Sequence, residues 1–367
     1  MRYEAELQYK WQRVADAVKR IGGLDITPQP ILGAEQPDGY RNKAQYPVAP
    51  GENRPLIGFF APRSHRIVEE HHCRLQPPVF GTAVDIIARW AQAAGASGYD
   101  EQTGSGLLRH IYIRQAEATG EVMVCLVCTS GKIPSPGRLV DALREGVPGL
   151  ASVMVNINRE RTNVILGKNE FVLWGDPYIT DVLCGLRFRL SPQSFYQVNR
   201  RQAERLYGLA AEEAALTGTE TLLDLYCGTG TIGLSMASRA GRVIGVEAVA
   251  PAVEDARRNA QANGIANARF LCADAAEAAA QLREEGISPD VVILDPPRKG
   301  CDAALIETVA AMSPGRIVYV SCDPATLARD LARFGEEGYR TRRVTPVDMF
   351  PRTPHVETVV LMSRVKD

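Results

Sequence analysis

The stretch DLYCGTGTIGL, residues 224–234, decides the fold of the C-terminal half of this chain. It continues the apolar run TLL at 221–223, and its Gly228, Gly230 and Gly233 form the pattern G-x-G-x-x-G. Glycines at such positions let the backbone turn tightly after a strand and approach a ligand at the carboxyl end of a parallel sheet. The stretch therefore predicts a strand, a ligand-binding loop and the start of a helix.

Strand-like and helix-like runs alternate regularly after residue 190. RVIGVE at 242–247 and VVILD at 291–295 are typical of buried parallel strands, and helical stretches separate them. This alternation predicts an α/β fold with a doubly wound, mostly parallel sheet. The last two strands, near 340–348 and 356–363, are joined by a Pro-rich loop that is too short for a helix, so we expect an antiparallel hairpin at the sheet edge.

The first half of the chain has a different organisation. A chain of 367 residues exceeds the usual size of one domain. Residues 4–21 form an amphipathic pattern that stops at Gly22 and Gly23, and mixed strand-like and helix-like runs follow. We therefore predict an N-terminal helix with a central α+β, RNA-binding domain over 1–190, and a Rossmann-like catalytic domain over 191–367.

Composition and charge restrict the class of function. The formal net charge is −1, which disfavours a nucleic-acid binder that works by bulk charge alone. No apolar run approaches the roughly 18 to 20 residues of a spanning helix, and the first residues, MRYEAELQYK, lack the pattern of a secretory signal. We expect a cytoplasmic monomer without a membrane partner. RNA contacts must then come from local basic residues, and a merely solvated surface stays the alternative for each; the candidates are Arg41, Lys43, Arg63, His65, Arg66, Arg109, His110, Arg114 and Arg298.

The eight cysteines are scattered and predict no disulfide framework. Cys125 and Cys128 lie within the apolar run VMVCLVC, which is typical of a buried strand. His71, His72 and Cys73 are adjacent, but the chain offers no second ligand cluster at a zinc-like spacing. We therefore predict no metal site.

Acidic residues around the glycine loop indicate which ligand it binds. Asp224 precedes the loop, where an acid repels a pyrophosphate but suits a cationic sulfonium ligand that carries an ammonium group. Glu247 closes the next strand and can accept hydrogen bonds from ribose hydroxyls. S-adenosylmethionine is therefore favoured over a dinucleotide. Asp274 follows the third strand, where an adenine contact and a helix N-cap are equally open.

Three further motifs follow successive strands. DPPRKG at 295–300 puts Asp295 at a strand end, and Arg298 stands where a related signature of exocyclic-amine methyltransferases carries an aromatic residue. SCDPATLARD at 321–330 puts Cys322 just before a helix, whose dipole is expected to favour its thiolate and so a nucleophilic role. RTPHVETVVL adds His355 and Glu357 at the start of the last strand. Alone, Glu357 is a weak candidate for a general base.

These motifs together with SPQSFYQVN at 191–199 resemble the family of RNA uridine-5-methyltransferases, which act on 23S rRNA or on the T-loop of tRNA. YRNKAQYPV at 40–48 and GFFAPRSHRIVEEHHC at 58–73 also look like that family's central domain. The resemblance implies a class I S-adenosylmethionine-dependent methyltransferase fold with an antiparallel last strand. It implies Cys322 as nucleophile and Glu357 as base. Together, the resemblance and the residues predict a donor site of Gln197, Asp224, Tyr226, Gly228, Gly230, Thr231, Glu247, Asp274 and Asp295.

The resemblance also indicates a substrate. The region from APRSHRIV to Cys73 looks more like the ribosomal branch, so we expect 23S rRNA. That branch usually begins with a β-barrel module and a cysteine cluster that, with a cysteine at the position of Cys73, holds an iron–sulfur cluster. Neither is in this sequence, which looks like a shortened form, so no iron–sulfur cluster is expected. A tRNA T-loop enzyme, a nucleotide-dependent oxidoreductase, an exocyclic-amine methyltransferase and a non-catalytic RNA-binding protein remain the alternatives.

Overall fold

The computed structural model describes residues 2–365, which divide into two compact units. The first, here the Rossmann-like unit, contains the described residues up to Pro37, the segment Leu183–Arg187 and the chain from Asn199 onward. The second, here the central unit, comprises Asp38–Val182 and Phe188–Val198.

The secondary structure follows the predicted succession. The first half contains α1 (Tyr3–Arg20), β1 (Lys43–Ala49), β2 (Leu56–Phe60), β3 (Ile67–Glu69), α2 (Pro78–Ala94), β4 (Leu108–Gln115), β5 (Val122–Cys128), α3 (Pro136–Gly146), β6 (Leu150–Ile157), β7 (Asn169–Gly175), β8 (Ile179–Leu183) and β9 (Leu186–Leu190). The second half contains α4 (Arg200–Ala214), β10 (Thr221–Leu225), α5 (Thr231–Met236), β11 (Arg242–Glu247), α6 (Ala250–Ala262), β12 (Ala268–Cys272), α7 (Ala275–Glu284), β13 (Val291–Leu294), α8 (Ala303–Ala311), β14 (Arg316–Ser321), α9 (Pro324–Glu336), β15 (Tyr339–Val347) and β16 (Glu357–Arg364). Within residues 2–365, no helix combines the length and the apolar character that crossing a bilayer requires.

The Rossmann-like unit is built on a seven-stranded sheet with the order β12-β11-β10-β13-β14-β16-β15. The strands β10 to β14 run parallel, whereas β16 pairs antiparallel with both β14 and β15. The middle residues of β10, β11, β13 and β14 are buried, as in strands that helices cover on both faces. The predicted α/β, doubly wound sheet with an antiparallel last strand is confirmed, and it brings the carboxyl ends of β10, β11, β13 and β14 to one rim.

The central unit is an α+β module. Its seven strands follow the order β3-β2-β1-β4-β5-β6-β7 and pair antiparallel except for β5 with β6, which α3 connects in parallel. Residues of α2 such as Phe80 and Ile87 share one hydrophobic core with Leu126 of β5. Cys125 and Cys128 are fully buried free thiols, as the apolar run predicts.

The division into units differs from the predicted boundary at residue 190. The residues up to Pro37 group with the Rossmann-like unit because Val14 and Val18 of α1 share its core with Phe334 of α9. The chain then runs along the edge strand β15, where Leu32 forms a bridge to Val347. The amphipathic pattern alone does not specify the unit to which α1 belongs.

Candidate active site

The loop after β10 has the backbone shape that its glycines predict. Gly228 and Gly230 have φ angles of 55° and 81°, in the left-handed region that favours glycine, and Tyr226 shares it at 64°. A Cβ on Gly230 would lie 3.1 Å from the ring of Phe270, so a side chain there would crowd the loop. The predicted glycine cradle therefore lies between β10 and α5.

Asp224 lies at the end of β10 behind this cradle and is fully buried. Its Oδ2 accepts a hydrogen bond from the N–H of Gly233 at 2.9 Å, whereas its buried Oδ1 has no hydrogen-bond partner among residues 2–365. Burial raises the pKa of this carboxyl to about 7, and the charges of Asp295 and Glu247 add to the shift. A buried acceptor without a donor fits a ligand that brings an ammonium group, so these residues fit S-adenosylmethionine.

Glu247 joins the end of β11 to the same loop. Its carboxylate accepts hydrogen bonds from the N–H of Gly228 at 3.1 Å and the N–H of Val249 at 2.9 Å. A carboxylate has about four acceptor positions, so Glu247 can brace the loop and still accept from ligand hydroxyls. Its predicted donor-site role is compatible with this geometry.

Three other predicted donor-site residues each have a neighbouring group within the protein. Asp274 is exposed and caps α7, accepting from the N–H of Ala276 at 2.9 Å, so the N-cap alternative is realised here. The Thr231 hydroxyl lies 3.1 Å from the Tyr207 hydroxyl. Gln197 belongs to the central unit, where its carbonyl accepts from the Asn42 side-chain amide at 3.0 Å, and its role in donor binding stays a prediction.

Cys322 and Glu357 lie at the ends of two neighbouring antiparallel strands. Ser321 of β14 pairs with Thr358 of β16, so Cys322 and Glu357 are the next residues outward in the same register. Side chains directly opposite in such pairs are within contact range. Cys322 is half-buried and Glu357 is buried. The register thus brings together the two residues that the sequence predicts as nucleophile and base.

Burial, and after it the neighbouring acids, raises the pKa values of this pair. Burial, then the charges of Glu357 and Asp295, raise the pKa of Cys322 to about 11, and Arg298 opposes the shift. Burial also raises the pKa of Glu357 to about 8 and that of Asp295 to about 7.

The expectation that the helix dipole favours the Cys322 thiolate is therefore wrong for the ligand-free protein. The side chain of Asp323 accepts hydrogen bonds from the N–H groups of Ala325 and Thr326, at 2.9 and 3.0 Å. These N–H groups at the start of α9 are thus already bound, and burial, followed by the nearby carboxyls, outweighs what remains of the dipole.

Sequence reasoning missed Asp330, which shapes the DPPRKG loop. Its fully buried carboxylate on α9 accepts from the N–H of Cys301 at 2.8 Å and from the Tyr319 hydroxyl at 2.7 Å. Gly300 has a φ of 74°, and a Cβ there would lie 2.4 Å from Asp330 Oδ2. An acid within the apolar stripe of an amphipathic helix, next to Leu331, is the signal that identifies it.

The basic residues predicted for RNA binding divide by exposure. Arg63, His65 and Arg66 are exposed in the loop between β2 and β3, where His65 Nδ1 lies 2.6 Å from a Glu101 carboxylate oxygen. Arg298 of the Rossmann-like unit is also exposed.

Arg41 and Lys43 are half-buried. Burial, followed by the charges of Arg114 and Arg41, lowers the pKa of Lys43 to about 8. A lysine with this pKa carries less charge above neutral pH than an exposed one, so it is the weaker candidate for a phosphate contact.

Arg109 and Arg114 were expected at the surface, and that expectation is wrong. Arg114 is buried and donates to the carbonyl oxygens of Ser191 and Ser194, at 2.8 and 2.7 Å. Arg109 is also buried and donates to the carbonyl oxygens of Asn158 and Glu160, at 3.0 and 2.7 Å. Both guanidinium groups hold loops of the central unit.

His110 lies between these two arginines in β4 and is only half-buried. Its pKa is lowered to about 4 by burial and by Arg109, so it is neutral near pH 7 and adds no positive charge to the surface.

The cysteine and histidines at 71–73 form no ligand cluster in the described chain. His71 Nδ1 and His72 Nε2 lie 2.7 and 3.1 Å from the two carboxylate oxygens of Asp85. Across residues 2–365, no three or more His, Cys, Asp or Glu side chains are arranged to hold a metal ion.

Comparison with known proteins assigns the family. The model of the tRNA (uracil-5-)-methyltransferase family matches residues 157–365. An uncharacterized RNA methyltransferase of Clostridium tetani is 45% identical over 367 residues, which are 100% of this chain and 80% of that protein. A similar protein of Halalkalibacterium halodurans is 44% identical and covers 99% of this chain and 79% of its own length.

A solved structure is also similar to almost the whole of this chain. The Pyrococcus abyssi tRNA (uracil-54, C5)-methyltransferase, in complex with S-adenosyl-L-homocysteine, is 30% identical and has a TM-score of 0.82. The match covers 99% of this chain and 84% of that one. The chain therefore belongs to the tRNA (uracil-5-)-methyltransferase family, and it is an RNA methyltransferase that uses S-adenosylmethionine.

Proposed function

We propose that this protein methylates carbon 5 of a specific uridine in 23S rRNA through a covalent adduct between Cys322 and carbon 6 of the base. The observation that carries the proposal is the strand register that sets Cys322 opposite Glu357 at the rim, beyond the pair Ser321 and Thr358. We propose that the Rossmann-like unit performs the reaction, that the central unit binds the RNA, and that the protein acts as a cytoplasmic monomer.

Carbon 5 of uracil is too weak a nucleophile to accept a methyl group unaided. The Cys322 thiolate adds to carbon 6 and forms a sulfur–carbon bond, which leaves an enolate with its electron pair available at carbon 5. S-adenosylmethionine, when bound, would supply the electrophilic methyl group to which carbon 5 forms its new bond, and S-adenosylhomocysteine would be the leaving group. Glu357 then removes the proton from carbon 5, the sulfur–carbon bond breaks, and the thiolate and the aromatic base are regenerated.

The donor site is proposed for the glycine cradle with Asp224, Tyr226, Thr231, Glu247, Asp274 and Asp295, joined by Gln197. Asp224 would accept from the ligand ammonium through its unpartnered Oδ1, and Glu247 would accept from ribose hydroxyls. We expect Glu247→Ala to weaken S-adenosylmethionine binding by about 1 to 3 kcal/mol in calorimetry, the usual loss for a charge-assisted hydrogen bond. Unchanged affinity would remove Glu247 from this site.

The target uridine must leave any stack to reach the rim, which is easiest in single-stranded or loop RNA. Arg63 and Arg66 are exposed and suited to phosphate contacts, as are His65, Arg41 and Lys43 to a lesser degree. Charge reversal of Arg63 and Arg66 should weaken RNA binding and flatten its salt dependence. Arg283→Glu, on the exposed surface of α7, is the control for bulk charge.

A second candidate substrate is tRNA. The 23S proposal rests on the resemblance of residues 58–73 to the ribosomal branch, whereas the similar Pyrococcus abyssi enzyme is named for uracil-54 of tRNA. The test is methylation of 23S rRNA and of tRNA, each transcribed in vitro, followed by mapping of 5-methyluridine. We expect methylation of the 23S transcript. Methylation of tRNA alone would replace the first candidate by the second.

A further inference from the structure

The loop between β15 and β16, residues 348–356, leads directly into Glu357. It contains neither helix nor strand, and Arg352 within it has a φ of 66°, which is rare for a residue with a side chain. Repeating backbone hydrogen bonds therefore do not fix the conformation of this loop. Within the loop, Thr353 donates to the Phe350 carbonyl and accepts from the N–H of His355, and contacts from outside the loop add to these bonds.

One face of α1 supplies such contacts. Tyr3, Glu6, Lys10 and Arg13 are spaced by three, four and three residues, so they form a single stripe along the helix. The Lys10 side chain is fully buried, and its Nζ donates to Asp348 Oδ1 at 2.6 Å, to Glu6 Oε1 at 2.7 Å and to the Phe350 carbonyl at 3.1 Å.

The rest of the stripe holds the loop along its length. The Tyr3 hydroxyl donates to Asp348 Oδ2 at 2.7 Å, and Glu6 Oε1 accepts from the N–H of Arg352 at 2.7 Å. The Arg13 guanidinium donates to the carbonyl of Pro354, three residues before Glu357.

A second helix, α4, binds the start of the loop. The side-chain amide of Asn199 donates to the Met349 carbonyl at 3.0 Å, and that of Gln202 donates to the Asp348 carbonyl at 3.0 Å. These bonds involve only residues 348 and 349. Nearer to Glu357, the backbone of Arg352 and that of Pro354 are each bonded by a side chain of α1.

We propose that this face of α1 is a positioning element for the proposed general base, with Lys10 and Arg13 acting through the loop on Glu357. The inference rests on the proposed function, because it requires Glu357 to remove the carbon 5 proton. A buried ion pair contributes little to stability relative to a packed apolar core, but it fixes one geometry among several. A base is sensitive to such geometry because it must lie within hydrogen-bond reach of its proton.

The test separates attack by Cys322 from elimination by Glu357. Lys10→Met, Arg13→Ala and the control Arg20→Ala are compared, since Arg20 lies on the same helix, is 77% exposed in its side chain and pairs only weakly with Asp16. Each is assayed with in vitro transcribed 23S rRNA and tRNA made with uridine or with 5-fluorouridine. Hydrogen exchange is measured at amides 348–357 in parallel.

We expect Lys10→Met to lower kcat on the order of 10- to 100-fold with little change in KM. For Arg13→Ala we expect about 5-fold, the effect of one net hydrogen bond. Both should form the adduct with 5-fluorouridine RNA as the wild type does, both should accumulate adduct on ordinary uridine, and both should exchange faster at 348–357. Arg20→Ala should match the wild type in each assay.

Two results would overturn the inference. One is normal elimination in Arg13→Ala together with unchanged exchange at 348–357, which decides the matter even if Lys10→Met does not fold. The other is an equal loss of adduct formation and turnover, which indicates general damage to the unit. Failure of the proposed function looks different, because the wild type itself would then form no adduct with either fluorinated RNA.

Discussion

The carboxyls at the rim of the Rossmann-like sheet and two buried arginines of the central unit differ in the partners that the protein gives them. At the rim of the Rossmann-like sheet, the carboxyls of Asp224, Asp295 and Glu357 all have raised pKa values, and Asp224 keeps a buried oxygen without a partner. In the central unit, the buried guanidinium groups of Arg109 and Arg114 each donate twice to loop carbonyls, although the Nε of each has no partner among residues 2–365. A buried charged group that is hydrogen-bonded to the protein indicates a structural role. A buried charged group that lacks such bonds indicates a ligand-binding site.

The largest expected effect concerns Glu357. Glu357→Gln keeps the side-chain shape but removes the base, so kcat should fall by about 10²- to 10⁴-fold, while adduct with ordinary uridine accumulates. Single-turnover assays with gel detection of the adduct measure both quantities. Turnover near that of the wild type would place the base elsewhere and would weaken the contrast between site and scaffold.

Removal of a buried cation in the central unit is expected to lower stability without affecting the reaction site. Arg109→Met leaves the carbonyls of Asn158 and Glu160 without this donor, so it should lower the free energy of unfolding by roughly 3 kcal/mol. S-adenosylmethionine affinity of the folded fraction should not change. Chemical denaturation and calorimetry measure the two quantities. Weaker donor binding with unchanged stability would contradict the scaffold role.

Asp224→Asn should stabilise the ligand-free protein while weakening donor binding. The folded-state pKa of about 7 lies above the ordinary 3.8 of an aspartate. The stability linked to this group is therefore present at low pH and lost as pH rises through about 7. The substitution should change little at pH 4 and stabilise by about 1 to 3 kcal/mol at pH 8. Denaturant unfolding at both pH values checks this, and destabilisation at pH 8 would contradict it.

The smallest expected effect is electrostatic. Arg298 lowers the pKa of both Cys322 and Glu357, and it is exposed, so salt screens its charge. Because the thiolate and the carboxylate are the reactive forms, kcat/KM should rise with pH through about 8, the pKa of Glu357, and on toward about 11, that of Cys322. In Arg298→Ala the profile should move to higher pH, and the shift should shrink at high salt. An unchanged profile would remove Arg298 from the surroundings of this pair.

Much of the fold and part of the site could be predicted from the sequence, because both follow from strands that end in distinctive residues. The alternation after residue 190 specifies the sheet, and the glycines of 224–234 specify the cradle. Cys322 and Glu357 are recognisable because they follow or begin apolar strands at one rim. For these residues, local sequence and tertiary position are directly linked.

The remaining features depend on partners that are distant along the chain. Lys10 and Glu6 are not recognisable as buried from the sequence, because Lys10 pairs with Asp348, 338 residues away, and Glu6 accepts from the N–H of Arg352. Arg114 reads as a surface cation, although its acceptors are carbonyls near residue 190. The direction of the Cys322 pKa shift depends on Asp295 and Glu357, which belong to other strands. Only the folded chain brings these groups together.

The central claim is the covalent attack by Cys322, and 5-fluorouridine tests it most directly because fluorine cannot leave carbon 5 as a proton. Wild-type protein, S-adenosylmethionine and fluorinated 23S rRNA transcript should give a denaturation-resistant protein–RNA adduct, and Cys322→Ala should give none. The matched control Cys73→Ala removes another half-buried thiol, one that belongs to the central unit and has no proposed role in the reaction, and it should react like the wild type. A fluorinated adduct on Cys322→Ala, or methyl transfer to carbon 5 by that variant, would contradict the mechanism.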